Sequence, residues 1–186
     1  PEIIAAFTAI DRKFFVGDIT EATEIYCDAP LSIGHGQTIS QPKTVAIMLE
    51  ELQPKIGDKI LDIGTGSGWA TALLAEIIGK SGFLNSFEII PQLAEFAADN
   101  LARFPFDNIE IRIAAPNQLG MQGKLFDKIL VSAAARDVPK DLLDQLAIGG
   151  RMVLPVKNEI LIIDKLSDDN FQERFLTGFA FVPLIY

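Results

Sequence analysis

Histidine, cysteine and clustered cations are scarce in this chain, and each shortage removes a class of chemistry. Of 186 residues one is a cysteine, Cys27, and one a histidine, His35. A single thiol forms no internal disulfide and no multi-thiolate metal site. Cys27 is therefore read as a half-buried thiol without a role, and the chain as a cytoplasmic one. His35 sits between two glycines with no partner in sequence, and neither a Cys/His nor a Ser/His/Asp set is present. No spacing suits zinc, so no metal is expected. Lysine and arginine number 16 against 25 acids, a net charge of −9, and they form no cluster. That argues against nucleic acid, whose binding depends on neutralising phosphates. No apolar run is long enough to span a membrane, and no signal-peptide pattern is seen. The chain begins at Pro1 rather than at a methionine.

What is present describes a globular chain. Hydrophobic residues make up 49% and charged ones 22%, enough at this length to bury the core of a single domain. Residues 1–20 read as a short cap, with Ile3, Ile4, Phe7 and Ile10 on one helical face and Phe14, Phe15 and Val16 as further anchors. Residues 21–33 read as irregular. Val45, Met48, Leu49 and Leu52 recur at i, i+3, i+4, i+7, so 43–53 is an amphipathic helix with Pro42 in its first turn. Strands and helices then alternate. Strands fall at 59–63, 83–88, 109–113, 126–132 and 151–156; helices fall at 69–78, from Pro91, and from Pro139, the last stopped by Gly149-Gly150. Runs 159–166 and 175–182 have no helix between them and predict an antiparallel pair. The fold class is α/β: a doubly wound, mainly parallel sheet with a C-terminal antiparallel hairpin.

Chemistry concentrates in two stretches. In Ile60-Leu61-Asp62-Ile63-Gly64-Thr65-Gly66-Ser67-Gly68-Trp69, a buried strand runs into alternate glycines and then a helix. Glycine allows positive φ and close approach of a ligand, with free helix N–H groups facing the turn. Glu88 closes the next strand, twenty residues after Gly68, where a βαβ unit presents an acid to ribose hydroxyls. The pattern points to a nucleoside-containing cofactor, with a purely structural turn as the alternative. The second stretch is Gly34-His35-Gly36-Gln37-Thr38-Ile39-Ser40-Gln41-Pro42, in which hydroxyl and amide groups enter the 43–53 helix. Ser40 has an N-cap role open to it as well as a functional one.

Residues 26–40 taken with Asp62-Ile63-Gly64-Thr65-Gly66-Ser67-Gly68-Trp69 resemble protein-L-isoaspartate O-methyltransferases. The likeness continues through Glu88, Val131-Ser132-Ala133-Ala134-Ala135, Gly149-Gly150-Arg151 with Leu154-Pro155-Val156, and Phe181-Val182-Pro183-Leu184. It covers nearly the whole chain. The Gly-Gln-Thr-Ile-Ser run is the diagnostic part, whereas the glycine motif is shared by many S-adenosylmethionine-dependent enzymes. The resemblance implies a Rossmann-like class I methyltransferase domain over 1–186, with a cap and substrate-side helix at 1–53 and the core at 54–186. It implies methyl transfer from S-adenosylmethionine to the free α-carboxylate of isoaspartyl residues in damaged proteins or peptides, by a monomer acting without membrane or nucleic acid.

By residue, the resemblance implies catalytic roles for Ser40 and Thr38. It implies cofactor contacts from Ile39, Asp62, Gly64, Thr65, Gly66, Ser67, Gly68 and Glu88. The family follows its third strand with Gly-Asp-Gly, whose acid lies near the adenine. This chain has Ala114-Ala115-Pro116-Asn117-Gln118-Leu119-Gly120 instead, so Asn117 or Gln118 is expected to supply an amide there. Lys157-Asn158-Glu159 also makes a shorter turn than the family's loop. These departures leave an alternative open: a family member with an altered acceptor or lost activity.

The shortage of acids and bases suits such a reaction. A carboxylate with a pKa of about 4 arrives ionised at neutral pH, and a neutral thioether leaving a sulfonium needs no proton. Alignment alone can supply roughly 7–11 kcal/mol. Ser40, with Thr38 and Gln37, offers neutral donors that orient a carboxylate without neutralising it. An NAD-dependent oxidoreductase fits less well, because the loop lacks a glycine three positions beyond its second.

Overall fold

The computed structural model describes residues 2–19 and 21–186, so that Pro1 and Thr20 of the expected cap lie outside the described residues. Helix α1 (Glu2–Ala9) leads through a 3-10 turn at Arg12–Phe15 to the short α2 (Ala22–Ile25). Strands β1 (Leu31–Gly34) and β2 (Gln37–Ile39) precede α3 (Pro42–Leu52). The core follows as β3 (Lys59–Ile63), α4 (Trp69–Ile78), β4 (Phe83–Glu88), α5 (Pro91–Leu101), β5 (Ile109–Ile113), β6 (Phe126–Val131), α6 (Lys140–Asp144), β7 (Leu146–Val156), β8 (Glu159–Ser167) and β9 (Asn170–Thr177).

Among the described residues, one seven-stranded sheet has the order β5-β4-β3-β6-β7-β8-β9. Pairings from β5 to β7 are parallel, and β7-β8-β9 is antiparallel. Alternate residues of the strands face opposite layers. Ile60, Leu130, Val153, Ile160 and Ile162 join α1, α3 and α4 in one buried cluster. Leu61, Ile129, Val131, Met152 and Leu154 join Leu142 of α6 in the other. The chain lays β4 and β5 outward from β3, then returns to place β6 on the other side of β3. That reversal opens a crevice at the carboxyl ends of β3 and β6, the usual ligand position in such sheets.

Several expected details shift. Ile4 is 74% exposed, and Ala6 takes its place on the buried face beside Ile3, Phe7 and Ile10. Part of the region read as irregular forms a hairpin with β2. Its two-residue turn, His35 and Gly36, has φ of 54° and 71°, the conformation that suits strand twist. His35 is exposed there. Helix α6 ends at Asp144 and not at the glycines, because β7 already begins at Leu146. Gly149 and Gly150 lie within that strand, where a Cβ on Gly150 would stand 2.8 Å from the Ala147 carbonyl and 2.9 Å from that of Asp127. The last strand is 170–177 rather than 175–182, since the chain reverses at Asp168-Asp169 and pairs Ser167 with Asn170. Residues 178–186 leave the sheet, and the Val182 carbonyl accepts from the Ala134 N–H (2.8 Å) while the Leu184 N–H donates to the Ala134 carbonyl (2.8 Å).

Arg12 ties the cap to the rest. Only 3% exposed, its guanidinium donates to the carbonyls of Ile25, Cys27 (3.2 Å), Ala29 (3.0 Å) and Ser40 (3.1 Å), and stacks 5.3 Å from the centroid of Trp69. Arg12→Ala leaves one buried carbonyl, that of Ile25, and three partly buried ones without their donor, at about 1–3 kcal/mol for a fully buried group and less where water can enter. A loss of about 3 kcal/mol is expected, read as a lowered midpoint in urea unfolding. A midpoint equal to that of the parent would show that water replaces the guanidinium at no cost.

Candidate active site

The glycine loop between β3 and α4 is held by its own chain. The Gly64 and Thr65 N–H groups donate to the Phe87 carbonyl (2.8 and 3.2 Å) and that of Gly68 to Thr65 (2.9 Å). The Gly66 N–H donates to Glu88 Oε2 at 2.8 Å. Glu88, 6% exposed, also accepts from the Ile90 N–H through Oε1 (3.0 Å), which leaves each oxygen a lone pair for a ligand hydroxyl. With these four N–H groups spent, the loop is not the open anion cradle expected from a helix N-terminus. A pyrophosphate would find few donors. Gly68 is required by packing: at φ 90°, a Cβ there would lie 3.2 Å from that of Ala97 on α5. The Asn100 amide of α5 donates to the Ser67 carbonyl (3.0 Å) and pins the loop from the same side.

Behind the loop, Asp62 is fully buried. Its Oδ2 accepts from Thr71 Oγ1 (2.7 Å) and Ser86 Oγ (2.8 Å), and Ser86 in turn meets Thr65 Oγ1 at 2.7 Å. Oδ1 has no partner among the described residues. Burial pushes the Asp62 carboxyl up from its ordinary value against the two hydroxyl hydrogen bonds, and the nearby Glu88 charge adds to the rise. The folded chain therefore holds this proton in a pH range where the unfolded chain has lost it. Stability from this group falls as pH rises through a window that opens at about 3.9. Asp62→Asn is expected to gain on the parent across that window, read as urea-unfolding free energies at several pH values. Parallel curves for the two proteins would remove the claim.

The carboxyl ends of β3, β4 and β6 open into a cleft of about 1100 Å³, mouth included. Gly64, Thr65, Gly66, Ser67 and Glu88 line it from the core, and Thr38, Ile39 and Ser40 from the cap. Phe87, Ile89, Ala114 and Leu119 make an apolar wall, and residues 182–186 close another side. Among the described residues Glu88 is the one charged side chain in the lining, so the cleft favours a cation over a phosphate. A second cleft adjoins it, lined by Pro30, Thr38, Ser40, Gln41, Thr44, Ser132, Ala180, Phe181 and Val182 without a charge.

Three residues in the expected set do not reach the cleft lining: Asp62, Gly68 and Asn117. Asp62 and Gly68 act from behind the loop. Asn117 is exposed with φ 59°, a left-handed turn that asparagine tolerates, and this turn directs Gln118 into the lining instead. Ser40 is not the N-cap. That position is Gln41, with no side-chain cap, and the first free N–H, of Lys43, donates to Asp28 Oδ1 (2.9 Å). The Ser40 hydroxyl is left without a partner among the described residues. Sequence reading missed Asn100, and it met Ser132 and residues 182–184 only as parts of the family likeness, with no role at the site. The asparagine and the wall act across distances along the chain that no local periodicity encodes, and Ser132 had only its place at a strand end and in that likeness.

Among the described residues no three His, Cys, Asp or Glu side chains are grouped to hold a metal, and no helix is long and apolar enough to cross a membrane. A family model described as protein-L-isoaspartate(D-aspartate) O-methyltransferase matches residues 1–186. Protein-L-isoaspartate O-methyltransferase 2 of Archaeoglobus fulgidus is 41% identical over 186 residues, 98% of this chain and 84% of that one. A protein-L-isoaspartate O-methyltransferase of Fervidobacterium nodosum is 40% identical over 187 residues, covering 98% and 93%. Among solved structures, a Plasmodium falciparum protein assigned as a protein-L-isoaspartate O-methyltransferase, bound to S-adenosyl-L-homocysteine, superposes with a TM-score of 0.87 at 27% identity, covering 98% of this chain and 89% of that one. The chain, with this candidate cleft at the carboxyl ends of β3 and β6, thus belongs to the protein-L-isoaspartate(D-aspartate) O-methyltransferase family.

Proposed function

We propose that this protein methylates the free α-carboxylate of L-isoaspartyl residues in damaged proteins or peptides, with S-adenosylmethionine as donor. The observation that carries the reading is the meeting of two clefts at Thr38, Ser40, Ser132 and Val182. One cleft has the chemistry for a nucleoside-bearing cation, and the other has neutral donors for an anionic acceptor. The cofactor fits the first on its own atoms. Glu88 keeps lone pairs for a ribose diol, the apolar wall suits a flat base, and a lining charged only by the Glu88 carboxylate among the described residues suits a sulfonium.

When bound, S-adenosylmethionine supplies a methyl group on a sulfonium that departs as a neutral thioether. The chain's residues bind and orient. Gly64, Thr65, Gly66 and Ser67 border the methionine part, Ile39 flanks it from the cap, and Glu88 accepts from the ribose hydroxyls. Asp62 and Gly68 hold the loop in shape from behind. Gln118, rather than Asn117, supplies an amide on the adenine side. Ser40 and Thr38 donate to the acceptor carboxylate, which is already ionised at neutral pH, so no general base is needed. The residues assigned here to donor and acceptor all belong to this chain, and the enzyme is read as a monomer.

The test is methyl transfer from labelled S-adenosylmethionine to an isoaspartyl peptide and to its normal aspartyl twin. Label on the isoaspartyl peptide alone is expected. Equal labelling of both, or of neither, would end the reading.

A further inference from the structure

We infer that Ser132 is a second donor to the acceptor carboxylate, facing Ser40 across the boundary of the two clefts. The inference rests on the methyltransferase reading above and names a residue that completes its site. Four residues line both clefts: Thr38, Ser40, Ser132 and Val182. A group passing from a donor in one cleft to an acceptor in the other must cross this boundary.

Thr38 and Ser40 come from the cap, on β2 and at the approach to α3. Ser132 comes from the opposite side, immediately after β6, where its N–H donates to the Ile63 carbonyl (2.8 Å) and fixes it beside the end of β3. Its hydroxyl makes no hydrogen bond among the described residues, as is true of the hydroxyls of Thr38 and Ser40. Three residues whose hydroxyls have no partner among the described residues therefore line one boundary, two from the cap and one from the sheet.

A carboxylate has two oxygens. One hydrogen bond holds one oxygen and leaves the group free to swing about it. A second donor on another wall fixes the carboxylate plane and so aims the remaining lone pair. The second cleft carries no lysine or arginine among the described residues, so both donors are neutral and the oxygen keeps its nucleophilic charge. No proton moves from either serine; each hydroxyl only donates a hydrogen bond.

Ser132 also touches the glycine loop, since a Cβ on Gly64 would lie 3.7 Å from the Ser132 Cβ. Ser132→Ala keeps that contact atom and deletes the hydroxyl alone. Three proteins are compared for turnover of the isoaspartyl peptide and for S-adenosylhomocysteine affinity by calorimetry: parent, Ser132→Ala and Ser132→Thr. Expected are a turnover at least tenfold lower in the alanine variant, an affinity within twofold of the parent, and a threonine variant within threefold of parental turnover. Alanine turnover within twofold of the parent overturns the inference and leaves the methyltransferase reading intact. So does a loss of affinity that matches the loss of turnover, which would make Ser132 a prop for the loop, or a threonine variant as slow as alanine. A parent that leaves the peptide unmethylated overturns both.

Discussion

Glu88→Ala is expected to weaken S-adenosylmethionine binding by roughly 10²–10³-fold, the largest effect of any single change in the cofactor cleft. Two hydrogen bonds from ribose hydroxyls to a carboxylate are lost, each worth about 1.5–2 kcal/mol, the lower end for a charged acceptor, and the sum of about 3–4 kcal/mol corresponds to that range. The variant also releases the Gly66 and Ile90 N–H groups from which Glu88 now accepts, so the loop loses one of its ties to β4, while the Phe87 carbonyl still holds Gly64 and Thr65. Glu88→Gln separates the two contributions. Its amide keeps the length of the side chain but turns one acceptor into a donor that faces a backbone N–H. A loss intermediate between parent and alanine is expected. Calorimetric titration with S-adenosylhomocysteine measures all three proteins. An alanine variant that binds within threefold of the parent would remove Glu88 from the cofactor site.

Ser40→Ala is expected to lower turnover of an isoaspartyl peptide by about 10²-fold, the scale of misplacing a reacting group by an ångström, with cofactor affinity unchanged. The two effects separate because Ser40 stands at the boundary of the clefts while Glu88 and the loop stand deep in one of them. A capping role would predict a different outcome: a loss of about 1 kcal/mol in stability with little kinetic effect. The geometry already argues against it, since the cap position is Gln41 and Asp28 accepts from Lys43. Steady-state kinetics and urea unfolding on the same variant discriminate the two. Unchanged turnover with lowered stability would return Ser40 to a structural role.

Periodicity in the sequence was sufficient where neighbours along the chain decide the outcome. The strands 59–63, 83–88 and 109–113 and the helix 69–78 fall where apolar runs and glycine corners place them. It failed where a distant group competes. Gln145 accepts from the Met121 N–H and donates to the Leu119 carbonyl, and the helix begun at Lys140 stops beside it, although the leucine spacing continues to Leu146. Gly149 and Gly150 read locally as a helix stop, but Gly150 is needed because the backbone of Asp127 on β6 passes within reach of a Cβ. The final apolar residues read as a strand, yet a two-residue turn at 168–169 shortens the hairpin and sends 182–186 across the sheet end to wall the cleft.

The same division runs through the site. Residue types and spacing alone determined that a glycine corner, an acid at the end of the next strand and a hydroxyl-rich entrance to a helix belong to this chain, because each is a local pattern with a local physical meaning. Tertiary structure alone decided that four of the loop N–H groups are spent internally, that Asp62 and Gly68 support the loop from behind, and that of the two amides expected on the far side Gln118 lines the cleft and Asn117 does not. It also decided that the cap and the tip of β6 meet, bringing Ser132 to the same boundary as Ser40. Hydrogen-bond partners and cleft walls are set by which distant segments the packed sheet brings together, and no spacing along the chain encodes that distance.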